Sequence, residues 1–129
     1  MLDEYIVELE NDLKIDELNL KDYQLRLPAI KHKWVGRCIR KKLELSQLIK
    51  KLEDIKTTLI TQIQADAPVK LSTGVISQKL DTHDIILKYK AQIEENKLII
   101  ELLEKTEKTF NSATFDIKNL VEIMKLELT

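Results

Sequence analysis

The chain has 129 residues, a third of them charged, with a formal net charge of −1, two Gly, two Pro and one Cys. That is long enough for a modest core and poor in helix breakers, so the composition predicts a single helical, coiled-coil-like domain. The lone Cys excludes an intrachain disulfide framework. No apolar run is long enough for a membrane span, and the acidic start "MLDEY" is unlike a signal peptide, so a cytoplasmic protein is expected.

Near neutrality hides three blocks of charge. Residues 1–25 hold eight acids against Lys14 and Lys21. Residues 26–56 hold ten Lys and Arg against Glu44, Glu53 and Asp54, and residues 57–129 hold nine bases against eleven acids. The asymmetry is the informative quantity.

In chain order, Leu2, Ile6, Leu9 and Leu13 are spaced for a short amphipathic helix. The following "KIDELNLKDYQLRL" loses that period. Residues 1–27 therefore read as an acidic helix and an irregular arm with apolar anchors Leu18, Leu20, Leu25 and Leu27. Pro28 suits a helical first turn, where its missing N–H has no role. A long basic helix is predicted over 28–64, interrupted only by Gly36. Its Leu45, Leu48, Leu52, Ile55, Leu59 and Ile63 repeat at 3, 4, 3, 4, 4, a heptad-like seam.

A turn is predicted over 65–73 within "QADAPVKLSTG", with Ser72 or Thr73 as the next cap. A second long helix follows over 74–109, with Ile86, Tyr89, Ile93, Ile100 and Leu103 on its seam. "NSAT", 111–114, offers caps for a last helix over 114–128 carrying Ile117, Leu120, Val121, Met124 and Leu128. Two long helices of about 36 residues, each about 55 Å, around a short turn predict an antiparallel hairpin. The expected fold class is all-α. "DIILKYK" and "KLIIELL" set Ile and Leu on adjacent positions, a wider stripe than one partner helix buries. This predicts a homo-oligomer with an interface through Ile86, Ile93, Ile100, Leu103, Ile117, Leu120 and Met124.

Enzyme signatures are missing. Two Gly cannot build a phosphate-cradling loop, and His32 and His83 lack metal-ligand spacing to each other or to Cys38, so neither catalysis nor a metal or cofactor is expected. Glu94 with Glu95, and Glu101 with Glu104, lie among Lys residues and read as solvated faces. Cys38 reads as a small core residue.

The basic segment stands apart: residues 29–43 contain no acid. On a helix, Lys33, Arg37, Arg40 and Lys41 fall within an arc of about 100°, and Lys51 returns to the same side. Such a stripe can follow a polyanion backbone, with counterion release driving binding. The competing reading is a coiled-coil flank paired with the acids of residues 1–25. Trp34 could stack on a base, but it shares the arc of Cys38, Leu45 and Leu52, which favours the core.

The order of a short acidic helix, "IDELNL", "LPAIKHKW", a basic helix and "TFDIKNLVEIMK" resembles the UvsY recombination mediator family of large tailed phages. The resemblance covers nearly the whole chain at low identity. It implies a non-enzymatic, helical, ring-like oligomer that binds single-stranded DNA in the cytoplasm of the infected host cell. Such a protein helps load a RecA-like recombinase onto strands coated by single-strand-binding protein. The family's Lys-Trp pair matches Lys33 and Trp34. Its Lys-x-Arg-Leu element aligns with "KTTL", where Lys56 and Leu59 match, Thr58 replaces Arg, and the following Tyr pair is absent. Residues and resemblance together give Lys31, Lys33, Arg37, Arg40, Lys41, Lys42, Lys50, Lys51 and Lys56 as the candidate DNA-binding set. Two rivals remain open: an adaptor or assembly coiled coil whose basic helix binds an acidic protein, and a peripheral membrane protein, which lacks the exposed apolar face that such helices use.

Overall fold

The computed structural model describes residues 1–14 and 20–128. They form α1 (Leu2–Asp12), α2 (Leu20–Asp66), α3 (Thr73–Asp81) and α4 (Asp84–Glu127), with no strand among the described residues. The chain divides into two compact units, Met1–Arg40 with Leu98–Thr129, and Lys41–Lys97, where the sequence predicts one domain. The expected anchor Leu18, in "IDELNL", lies outside the described residues.

In the first unit, Leu20, Tyr23, Leu27, Trp34 and Cys38 of α2 pack with Ile99, Leu103, Phe110 and Ile117 of α4. Half-buried Leu2, Tyr5, Leu9 and Leu13 bring α1 onto this core. Trp34 faces Phe110 across one shallow cavity, and Leu27 faces Ile117 and Val121 across another, so the two long segments run antiparallel here. In the second unit, Leu52, Ile86 and Ile93 form the core, flanked by Leu45, Leu48, Ile55, Leu59 and Tyr89. The connection after α2 is held by Gln64, whose side chain accepts from the Leu71 N–H and donates to the Val69 carbonyl, both at 3.2 Å. The Ser72 hydroxyl caps α3 by accepting from the Val75 N–H at 3.3 Å, as expected of that position.

Several boundaries differ from the sequence expectation. Residues 20–27, expected as an irregular arm, are helical, and Pro28 lies inside α2. An interior Pro costs about 3 kcal/mol or more. Leu20, Tyr23 and Leu27, all buried, offset this at about 1.5–3 kcal/mol each. Pro28 and Gln24 are exposed, so the carbonyl that Pro28 leaves unpaired lies on a solvent-facing side. Leu25, expected as an anchor, is instead exposed. At the other end α4 runs through "NSAT" without a break. The hydroxyls of Thr109 and Thr114 donate to the carbonyls of Lys105 and Phe110 instead of capping, while Phe110, Ala113 and Ile117 are buried. The expected helix 74–109 is interrupted at Thr82 and His83, where His83 Nδ1 accepts from the Ile85 N–H at 3.3 Å at the start of α4.

Five of the residues expected at an oligomer interface pack inside the chain. Ile86, Ile93, Ile100, Leu103 and Ile117 are buried within the chain, and Leu120 and Met124 pack half-buried on the first unit's core. Adjacent apolar positions suggest an intermolecular face, but Ile86, Ile93, Ile100, Leu103 and Ile117 serve intrachain packing. The apolar side chains left exposed on α4 are Ile85, Leu87, Leu98, Phe115, Ile123 and Leu126.

Gly36 sits in the α2 interior without positive φ, and a Cβ there would meet only the Arg40 head group, at 3.6 Å. Gly36→Ala is therefore expected to raise stability by about 0.5–1 kcal/mol, seen as a higher urea midpoint. A lower midpoint would reveal crowding that this geometry does not contain.

Candidate nucleic-acid interface

The basic segment divides into cations already partnered and cations presented to solvent. In the first unit, α1 lies against α2 so that its acids meet the basic helix. Lys33 Nζ donates to Asp12 Oδ2 at 2.6 Å and to Glu8 Oε1 at 3.2 Å. The Arg37 guanidinium grips Glu8 with both Nη1 and Nη2, a two-point fork. The Arg37 hydrogen bond, with help from Lys33 and against partial desolvation, holds the Glu8 carboxyl below its ordinary 4.5. The contact is thus complete at neutral pH, and its stabilisation is lost only as pH falls from about 4.5 through the lowered value and Glu8 protonates.

Trp34 sits beneath these charges, 1% exposed. Its Nε1–H donates to Asp12 Oδ2 at 2.9 Å, and the Tyr5 ring meets it edge-on with centroids 5.8 Å apart. Lys33 and Arg37 lie over its ring at 5.3 and 4.9 Å. Trp34 is therefore a core residue with a charged lid. Sequence reasoning missed Glu8, Asp12 and Tyr5 as partners of the basic helix. The matching charge blocks hinted at such pairing without naming residues.

Lys31, half-buried, donates to Thr114 Oγ1 at 2.9 Å, and Arg40 is exposed with no carboxylate partner among the described residues. In the second unit, Lys41, expected in the cationic stripe, lies buried with its head on Glu44 at 3.0 Å. It occupies the seam three residues after Cys38 and four before Leu45, so its stem packs and only its tip emerges. Lys42 is exposed and has an interaction partner. Lys50 and Lys51 are exposed without an ion pair among the described residues. Lys56 is half-buried and paired with Glu53 at 3.7 Å. In the "KTTL" element the Thr58 hydroxyl donates to the Asp54 carbonyl, and Leu59 packs on the second unit's core.

Among the described residues no set of His, Cys, Asp and Glu side chains converges as a metal site, and no helix is long and apolar enough to cross a membrane.

No family model matches the sequence, and no curated protein matches it significantly. Solved structures do. One crystal form of the recombination mediator protein UvsY of bacteriophage T4 superposes with a TM-score of 0.84 at 15% identity, covering 98% of each chain. A second crystal form gives 0.77 at 16% identity, covering 100% of this chain and 98% of the other. Over essentially its whole length, this chain has the fold of the T4 recombination mediator UvsY.

Proposed function

We propose that this protein is a non-enzymatic recombination mediator. It binds single-stranded DNA without reading base sequence and helps load a RecA-like recombinase onto DNA coated by single-strand-binding protein, in the cytoplasm of an infected host. The observation that carries this is the likeness to UvsY over 98% of the chain. Arg40, Lys50 and Lys51, exposed and without an ion pair among the described residues, supply the polyanion contacts. Self-association uses the exposed apolar residues of α4, Leu98, Phe115 and Ile123 among them. Weak sites repeated over several subunits then act together, since each later contact is effectively intramolecular.

Titration of a labelled oligonucleotide against salt tests the reading. With about four phosphates neutralised per subunit, the log–log slope should be about −3. No binding at low salt would remove the mediator function. The adaptor remains the second reading, because Lys33 and Arg37 already donate to carboxylates of α1. An adaptor would ignore the oligonucleotide at every salt concentration.

A further inference from the structure

We propose that α1 is a displaceable acidic strap: Glu8 and Asp12 occupy Lys33 and Arg37 in the place of phosphates, and single-stranded DNA must lift the helix to reach them. The inference rests on the DNA binding proposed above and adds its regulation. Arg37 holds Glu8 through the same two-point fork that a guanidinium uses on a phosphate, and Lys33 is shared between Glu8 and Asp12. Residues 1–13 carry Asp3, Glu4, Glu8, Glu10 and Asp12 and no base, so a docked α1 also repels a nucleic-acid backbone from this face.

The attachment is built to yield. No residue of α1 is buried, Met1 provides no side-chain cap, and the last turn has no basic residue. Eleven residues are too few to hold a helix unaided, so α1 depends on its docking. The side chains of Lys33 and Glu8 are 32% and 38% exposed and those of Asp12 and Arg37 19% and 23%, so solvent and salt reach and screen these pairs in part. Exchange of carboxylate for phosphate therefore trades one ion pair for another, and the resistance to lifting α1 comes from the packing of Leu2, Tyr5, Leu9 and Leu13 and from the Trp34 contacts. Lifting α1 also uncovers Trp34, the only Trp in the chain, which makes its fluorescence a direct reporter.

The test compares the full-length wild type with E8Q/D12N and with a control, E4Q/E10Q, which removes the same charge from exposed positions of α1. The probe is labelled oligo-dT at fixed low salt. E8Q/D12N should bind about tenfold more tightly, since each released cation no longer trades a partly exposed ion pair for its phosphate, and the control should gain about twofold or less. Adding oligo-dT to the wild type should shift its Trp34 emission toward that of E8Q/D12N. A folded E8Q/D12N with wild-type affinity, or an equal gain in the control, would overturn the strap. If E8Q/D12N loses helicity, the wild-type titration decides: unchanged Trp34 emission at DNA saturation overturns the proposal and a shift supports it. If wild type and variants all fail to bind oligo-dT, the DNA-binding function itself falls.

Discussion

Trp34→Ala lowers stability by about 3 kcal/mol or more, the usual cost of removing a large aromatic from a packed core. At 1% exposure Trp34 is enclosed on every side. Its loss opens a void between α2 and α4 and takes away the ring on which Tyr5 rests edge-on and over which Arg37 lies. It also removes the Nε1–H that Asp12 accepts, leaving Lys33 as the donor to that carboxylate among the described residues. Core packing and α1 docking therefore fail together. Trp34→Phe keeps most of the ring and loses the hydrogen bond, so its cost should be nearer 1–2 kcal/mol. Urea denaturation followed by helicity ranks the two variants. A Trp34→Ala protein with the wild-type midpoint and lost DNA binding would move Trp34 from the core to a base-stacking surface.

The α2 seam was more legible than the boundaries drawn from it. Leu20, Tyr23, Leu27, Ile30, Trp34, Cys38, Lys41, Leu45, Leu48 and Leu52 continue one spacing of threes and fours. Pro28 hid the first half, because a local rule against interior Pro competed with a period that only tertiary burial enforces. "NSAT" misled for a related reason: a Thr hydroxyl that can bond its own i−4 carbonyl has no need to end a helix. The excess of Ile and Leu in α4 was plain, but adjacent apolar positions do not say which of them face the same chain. The concentration of cations was visible, whereas their partners were not. Glu8 and Arg37 are 29 residues apart, and no period links them. Lys41 is a different case. Its place on the seam between Cys38 and Leu45 was readable from spacing, and charge drew attention away from it.

Reversing Arg40, Lys50 and Lys51 together to Glu should weaken single-stranded DNA binding by about two orders of magnitude or more at low salt. It should also flatten the log–log slope by about 2, at 0.7 per phosphate lost. Helicity and the urea midpoint should barely move, because all three side chains are exposed and none is ion-paired among the described residues. The choice of residues is decisive. Arg37→Glu would set a new carboxylate against Glu8 and loosen α1, so a change in DNA affinity would mix two effects. Lys41→Glu would bury a charge beside Glu44 and strike the fold itself. With α1 docked, Arg40, Lys50 and Lys51 are exposed cations that the fold does not need, and on the proposed function they are the first that a polyanion would meet. Intact structure with undiminished affinity would place the DNA elsewhere. Loss of the fold, or a change in oligomer size, would mean that these cations hold subunits together, and the adaptor reading would then take precedence.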